Sequence, residues 1–183
     1  RTKPHQRVHM ISVVMEDNID EIEDLILLAK EIGVTYLVTL YSNGRRKKEK
    51  DFLNRDISSH LLKLKKKYKD FLSLPGYLSK FSEFVHSTEG MSPCCAGKNM
   101  YNIDSSGIVR LCIDMLDDPA GNIFQDDINI IKKKLYQKHI ENTCSDCWSG
   151  CRGPIEALLY DNNKTGNWMA VYQAKKNIPL LKS

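Results

Sequence analysis

The chain has 183 residues, of which 42% are hydrophobic and 27% charged. That composition excludes a disordered tail and leaves room for one medium domain, or two small ones, with a buried core. The net charge of +4, from 27 basic and 23 acidic side chains, is too small to argue for nucleic acid by itself.

No secretory leader is visible. The opening residues, RTKPHQRVHM, are polar and basic and lack the apolar centre that such a segment needs. The longest apolar runs, such as Leu25 to Ala29, are far too short to span a membrane. The expectation is a cytoplasmic chain, where thiols stay reduced and clustered cysteines more often mean metal or catalysis than disulfides. The chain starts at Arg1 without a methionine, which suggests a trimmed fragment.

Residues 9 to 40 read as a strand–helix–strand unit. His9 to Met15 is β-rich and largely apolar, as a strand buried on both faces would be. Asn18 can cap the next helix, and Glu21 three residues on completes a capping-box pattern. Ile19, Ile22, Ile26 and Ala29 then fall on one helical stripe, and Gly33 stands where a helix ends. Val34 to Leu40 is a second buried strand, parallel to the first through a right-handed crossover. Two strands do not make a stable sheet, so this is a piece of a larger α/β sheet or barrel.

Tyr41 to Lys50 is a polar, basic loop. A helix follows over roughly 56–72, with Ile57, Leu61, Leu64 and Tyr68 on one face and Lys63, Lys65, Lys66 and Lys67 mostly on a solvated one. A turn and a short amphipathic stretch reach Val85. From Met91 the character changes. Met100 to Ile103 and Ile108 to Cys112 read as a hairpin around Asp104 to Gly107, whose glycine suits a left-handed turn position. A helix capped by Asp126 or Asp127 points Ile128, Ile131 and Leu135 inward. Two short helices, around DNNKTGN, end the chain. The fold class is α/β, α+β overall, divided into residues 1–86 and a cysteine domain over 87–183.

The six cysteines carry the chemistry. A hairpin centred near residue 106 places Cys112 opposite roughly position 100, and Cys95 lies just beyond. Cys144 and Cys147 form a CxxC, which lets two thiolates reach one metal from a single turn. Cys95, Cys112, Cys144 and Cys147 therefore make a four-sulfur site, with Cys151 as an alternate ligand and Cys94 a spare. A disulfide framework and unrelated buried thiols are the alternatives. Zinc and a 4Fe-4S cluster both accept four thiolates, and spacing does not separate them. Of the five histidines none falls at ligand spacing; His139 reads as a surface or helix-end residue. Trp148, inside the cysteine run, reads as a hydrophobic cover for the site.

CAGKNMYNIDSSGIVRLC resembles the first half of the auxiliary-cluster domain, of SPASM or twitch type, of radical SAM enzymes. Cys95, Gly107 and Cys112 carry that pattern. AGNIFQDDINIIKKK resembles the segment that follows, and CSDCWSGCRG its closing cysteine run. Upstream, ISVVMEDNIDEIEDLILLAKEIGVTYLVTL resembles the last strand–helix–strand of the radical SAM partial barrel. The cysteine count departs from a full two-cluster SPASM domain and fits the shorter twitch form. The catalytic CxxxCxxC loop is absent; the order here is CxxCxxxC.

The resemblance implies the C-terminal region of a radical SAM oxidoreductase or modifying enzyme, with an auxiliary 4Fe-4S cluster that positions substrate or transfers an electron. The full-length parent would bind S-adenosylmethionine, with Tyr41, Ser42 and Asn43 lining its pocket at the carboxyl end of the second strand. A peptide, sugar or cofactor precursor could be the substrate, and an electron-donor protein the partner. The chain alone should not cleave S-adenosylmethionine. Its unpaired apolar strands should make it self-associate through residues 8 to 40. The rival reading is a non-enzymatic four-cysteine zinc module that binds nucleic acid or a protein.

Overall fold

A computed structural model describes residues 8–40, 55–86 and 91–177. The chain is α+β, and it divides into two compact units. The first is made of described residues 8–40, 55–86 and 148–177, the second of 91–147.

In the first unit, β1 (His9–Val14) and β2 (Thr35–Leu40) pair in parallel, His9 opposite Thr35 through to Val14 opposite Leu40. A short 3-10 turn over Ile19–Glu21 leads into α1 (Ile22–Glu31). Ile19, Ile22, Ile26 and Ala29 are all buried, because the 3.6-residue period keeps them on the face turned to the sheet. Gly33 adopts φ 76° after the helix, and the Val34 amide donates to the Ala29 carbonyl at 2.9 Å. Asn18 forms no capping bond with the helix. Its side chain instead accepts from the Met15 amide and donates to the Val13 carbonyl, tying the turn to the end of β1.

The strand faces differ from the sequence expectation. β2 is buried along most of its length, but β1 alternates, leaving Ile11 60% and Val13 42% exposed. Burial on both faces therefore does not hold for β1.

Helix α2 (Ile57–Lys67) is capped by Asp56, whose carboxylate accepts from the Ser59 amide at 3.0 Å. It ends earlier than its apolar pattern suggested. Tyr36 donates its amide to the Asp70 carbonyl, and its own carbonyl accepts from the Leu72 amide. Sheet pairing with β2 thus wins the segment around Phe71 from the helix. Lys65 also leaves the solvated face: its ammonium bonds the Phe71 carbonyl. Helices α3 (Pro75–Leu78) and α4 (Phe81–His86) follow.

After residue 147 the chain builds the rest of the first unit. Trp148 is 1% exposed and donates its indole N–H to the Tyr77 carbonyl at 2.9 Å. Its ring lies 6.0 Å from that of Tyr77 and carries the Arg152 guanidinium above it. Arg152 is itself fully buried and ion-paired with Glu156 at 2.8 Å. Helices α6 (Gly153–Leu159) and α7 (Lys164–Asn177) complete the unit. Asn167 of α7 is fully buried, accepting from the Gly76 amide and donating to the Ala157 carbonyl. The sequence division at residues 86 and 87 assigned this whole C-terminal stretch to the cysteine domain, and the packing returns it to the first unit.

The second unit has a three-stranded sheet. β3 (Asn102–Ile103) and β4 (Ile108–Arg110) pair antiparallel, Asn102 opposite Arg110, and β5 (Gly121–Asn122) joins the other side of β4. The turn Asp104–Gly107 closes on Gly107 at φ 79°. The Asp104 carboxylate accepts from the Ser106 and Ile108 amides and pairs with Arg110, and these bonds hold the carboxyl below its ordinary range, the Arg110 bond most. Helix α5 (Ile128–Glu141), capped by Asp127, packs Ile131 and Leu135 onto the sheet. Ile128 is exposed, outside that stripe. The core is small: Cys94, Ala96, Val109, Leu111, Ala120, Ile131 and Leu135, with Met100 beside it.

No helix among the described residues is long and apolar enough to cross a membrane.

Candidate functional site

The hairpin pairs β3 and β4 with Asn102 opposite Arg110 and Ile103 opposite Val109, Met100 bridges back to Ala96, and Cys112 follows two residues after Arg110. Cys95 closes the turn that precedes the hairpin. Its carbonyl accepts from the Lys98 and Asn99 amides, and Gly97 donates to the Met100 carbonyl at 2.7 Å. Gly97 has φ 84°, and a β-carbon there would stand 2.6 Å from the Leu135 carbonyl oxygen. Only glycine lets this turn sit against α5.

Beside the core lies a cleft of about 440 Å³. Four thiols line it: Cys94, Cys112, Cys144 and Cys147. Three of these are residues that the sequence singled out. The fourth is Cys94 in place of Cys95, which is 4% exposed and not part of the cleft wall. Cys151 is exposed and belongs to the first unit, as does Trp148. The expected role of Trp148 as a cover for the site gives way to a structural one within that unit.

The thiols influence each other. Burial, above all, raises the pKa of Cys112 and Cys144, and the nearby Cys94 raises both further. Two amides work in the opposite direction. The Asp114 N–H donates to the Cys112 sulfur at 3.4 Å, and the Asp146 N–H bonds Cys144 in the same two-residue pattern. Such N–H···S contacts favour the thiolate, the form that binds metal. A cation would offset the burial that keeps these sulfurs protonated. The donor set therefore suits a metal group. Among the described residues, no three His, Cys, Asp or Glu side chains converge into a site for a metal ion; the sulfurs stand around the walls of the cleft.

The rest of the wall is mixed. Asp114, Glu141 and Asp146 bring carboxylates to it, and Met115 and Ala96 bring apolar surface. Asn142 and Thr143 stand between α5 and Cys144. Sequence reasoning passed over Asn142, although an asparagine that stops a helix two residues before a cysteine is a legible signal. His139 is half-buried at the end of α5, with Nδ1 3.0 Å from the Ala96 carbonyl. A carbonyl only accepts, so Nδ1 carries the proton.

A second cleft, of about 180 Å³, borders β2 in the first unit and has no charged residue in its lining. Leu37, Thr39, Leu74, Tyr77 and Pro154 are among its walls. Tyr41, Ser42 and Asn43, expected to line an S-adenosylmethionine pocket, lie outside the described residues.

The chain matches no protein-family model, no curated protein and no solved structure.

Proposed function

We propose that the second unit holds a 4Fe-4S cluster on the thiolates of Cys94, Cys112, Cys144 and Cys147. In this reading it is the auxiliary-cluster region of a radical SAM oxidoreductase or modifying enzyme working in the reducing cytoplasm. The observation that carries the proposal is the gathering of four thiols around one cleft. Its size suits a polynuclear group better than a lone ion. The resemblance of the hairpin and cysteine run to the twitch type supports the wider reading.

When bound, such a cluster would supply a one-electron redox centre. The chain's own part is to hold and tune it. Four thiolates would anchor the iron, and the Asp114 and Asp146 amides would stabilise the sulfur charge at Cys112 and Cys144. Met115 and the carboxylates of Asp114, Glu141 and Asp146 would meet a substrate or an electron-donor protein at the cleft. The CxxxCxxC loop that activates S-adenosylmethionine is absent from this chain, so no cleavage of that cofactor is expected from it alone.

Anaerobic reconstitution with iron and sulfide tests the reading. A brown protein with four iron atoms per chain supports it. Cys94→Ala and Cys112→Ala should each remove most of the visible absorption, and Cys95→Ala should leave it. A colourless protein that takes up one zinc ion through the same thiols would favour the zinc module instead, and a protein that binds neither would end both readings.

A further inference from the structure

Two chain segments far apart in sequence supply the wall of the cysteine cleft around Cys94 and Cys144. One residue touches both. Asn142 is 9% exposed and sits where α5 stops, its own amide donating to the His139 carbonyl at 3.2 Å. Its side-chain nitrogen donates to the Cys94 carbonyl at 2.9 Å. Its side-chain oxygen accepts from the Cys144 amide at 3.1 Å. The Cys94 amide donates to the Cys144 carbonyl at 2.8 Å, closing a ring of three bonds.

The orientation of the amide is forced. A carbonyl can only accept and an N–H can only donate, so a flipped Asn142 would lose both bonds and bury two unmatched polar pairs. Ala or Ser could fill neither role at this reach. Asp could keep the bond from Cys144 but would set its oxygen against the Cys94 carbonyl. Asparagine is the side chain that reads a donor on one segment and an acceptor on the other.

We propose that Asn142 is a positioning residue that locks the Cys94 and Cys144 segments in register before any cluster arrives, so that two of the four sulfurs are placed in advance. This rests on the four-thiolate reading of the cleft. The unit's core is small, and of Cys94 and Cys144 only Cys94 belongs to it. His139 steadies the neighbouring residue through the Ala96 carbonyl, so the last turn of α5 grips the cysteine segment at two points. Ligand segments held in place need less ordering when a metal binds, and the metal is retained more tightly.

Two measurements on the full chain test this. The first is amide hydrogen exchange in the metal-free protein. The Cys94 and Cys144 amides should be protected in the wild type and lose protection in Asn142→Ala, while Val109 and Ile131 stay protected and report an intact core. The second is the rate of iron loss from reconstituted protein to a chelator, which should rise roughly 10–100-fold in Asn142→Ala. Asn142→Asp should keep part of the Cys144 protection and fall between. It also serves if the alanine variant loses its core. Unchanged exchange and unchanged iron retention in the variants would overturn the inference. Failure of the wild type to take up a cluster would sink the four-thiolate reading alone, since exchange in the metal-free protein still decides whether Asn142 holds the two segments.

Discussion

The two units are stabilised by different means. The first closes on large side chains: Trp148, Arg152, Tyr36, Tyr77, Phe71 and Phe81 are all nearly inaccessible to solvent. The second closes on small ones, and one of its core members is Cys94, a thiol that also lines the cleft. Apolar burial is worth roughly 25 cal/mol per Å², so the aromatic unit has far more to draw on. A small unit with a thin core commonly needs a staple such as a bound metal. The contrast teaches that one chain can close one part on large aromatic side chains and another on a thin core, and under the proposed function the thin one would draw stability from its cluster.

The largest effect should come from the aromatic anchor. Trp148→Ala should destabilise the first unit by about 3–5 kcal/mol, because it removes the indole, its bond to the Tyr77 carbonyl and the surface under Arg152. Chemical denaturation followed by Tyr and Trp fluorescence measures it. The visible absorption of reconstituted protein should survive, and its loss would show that the contrast between the units is drawn too sharply.

Next comes Ile131→Ala in the second unit, at about 2–4 kcal/mol. In the metal-free protein that loss should unfold the small unit, seen as collapse of its amide protection. Reconstitution should restore much of it, because a ligand bound only by the folded state stabilises that state by mass action. Equal damage with and without the cluster would break the proposed dependence.

The smallest effect is electrostatic and lies in the first unit. Burial pushes the Lys65 ammonium down to about 8, against about 10.4 in an unfolded chain. Between those values the unfolded state holds more protons than the folded one. Stability of the first unit should therefore rise with pH from about 8 towards 10. Lys65→Met should flatten that rise. A thermal-melt series across the window, with the two slopes compared, is the check.

Much of this was readable from residue spacing. Ile19, Ile22, Ile26 and Ala29 declare a helix face, and all four are buried. Asp104 and Gly107 declare the turn between β3 and β4. What escaped are features fixed by distant partners. Which of Cys94 and Cys95 faces the cleft depends on a turn held open by Gly97 against Leu135, and adjacent identical residues carry no mark of their direction. The return of residues 148–177 to the first unit depends on the pocket that Tyr77 offers Trp148. A tryptophan among cysteines looks like part of their site until that pocket is seen. Asn18 had the right chemistry for a helix cap but found closer partners at Met15 and Val13.

The first unit is interrupted: its described stretches 8–40 and 55–86 precede the cysteine unit's 91–147 in the chain, and 148–177 follows it. A ribosome delivers these pieces in order, at roughly 5–20 residues per second. The segment through Cys147 is therefore synthesised before Trp148, and Tyr77 waits for its indole until the last thiol of the cleft has been made. The order of synthesis thus completes the cysteine unit's own residues before the aromatic core of the first unit can close.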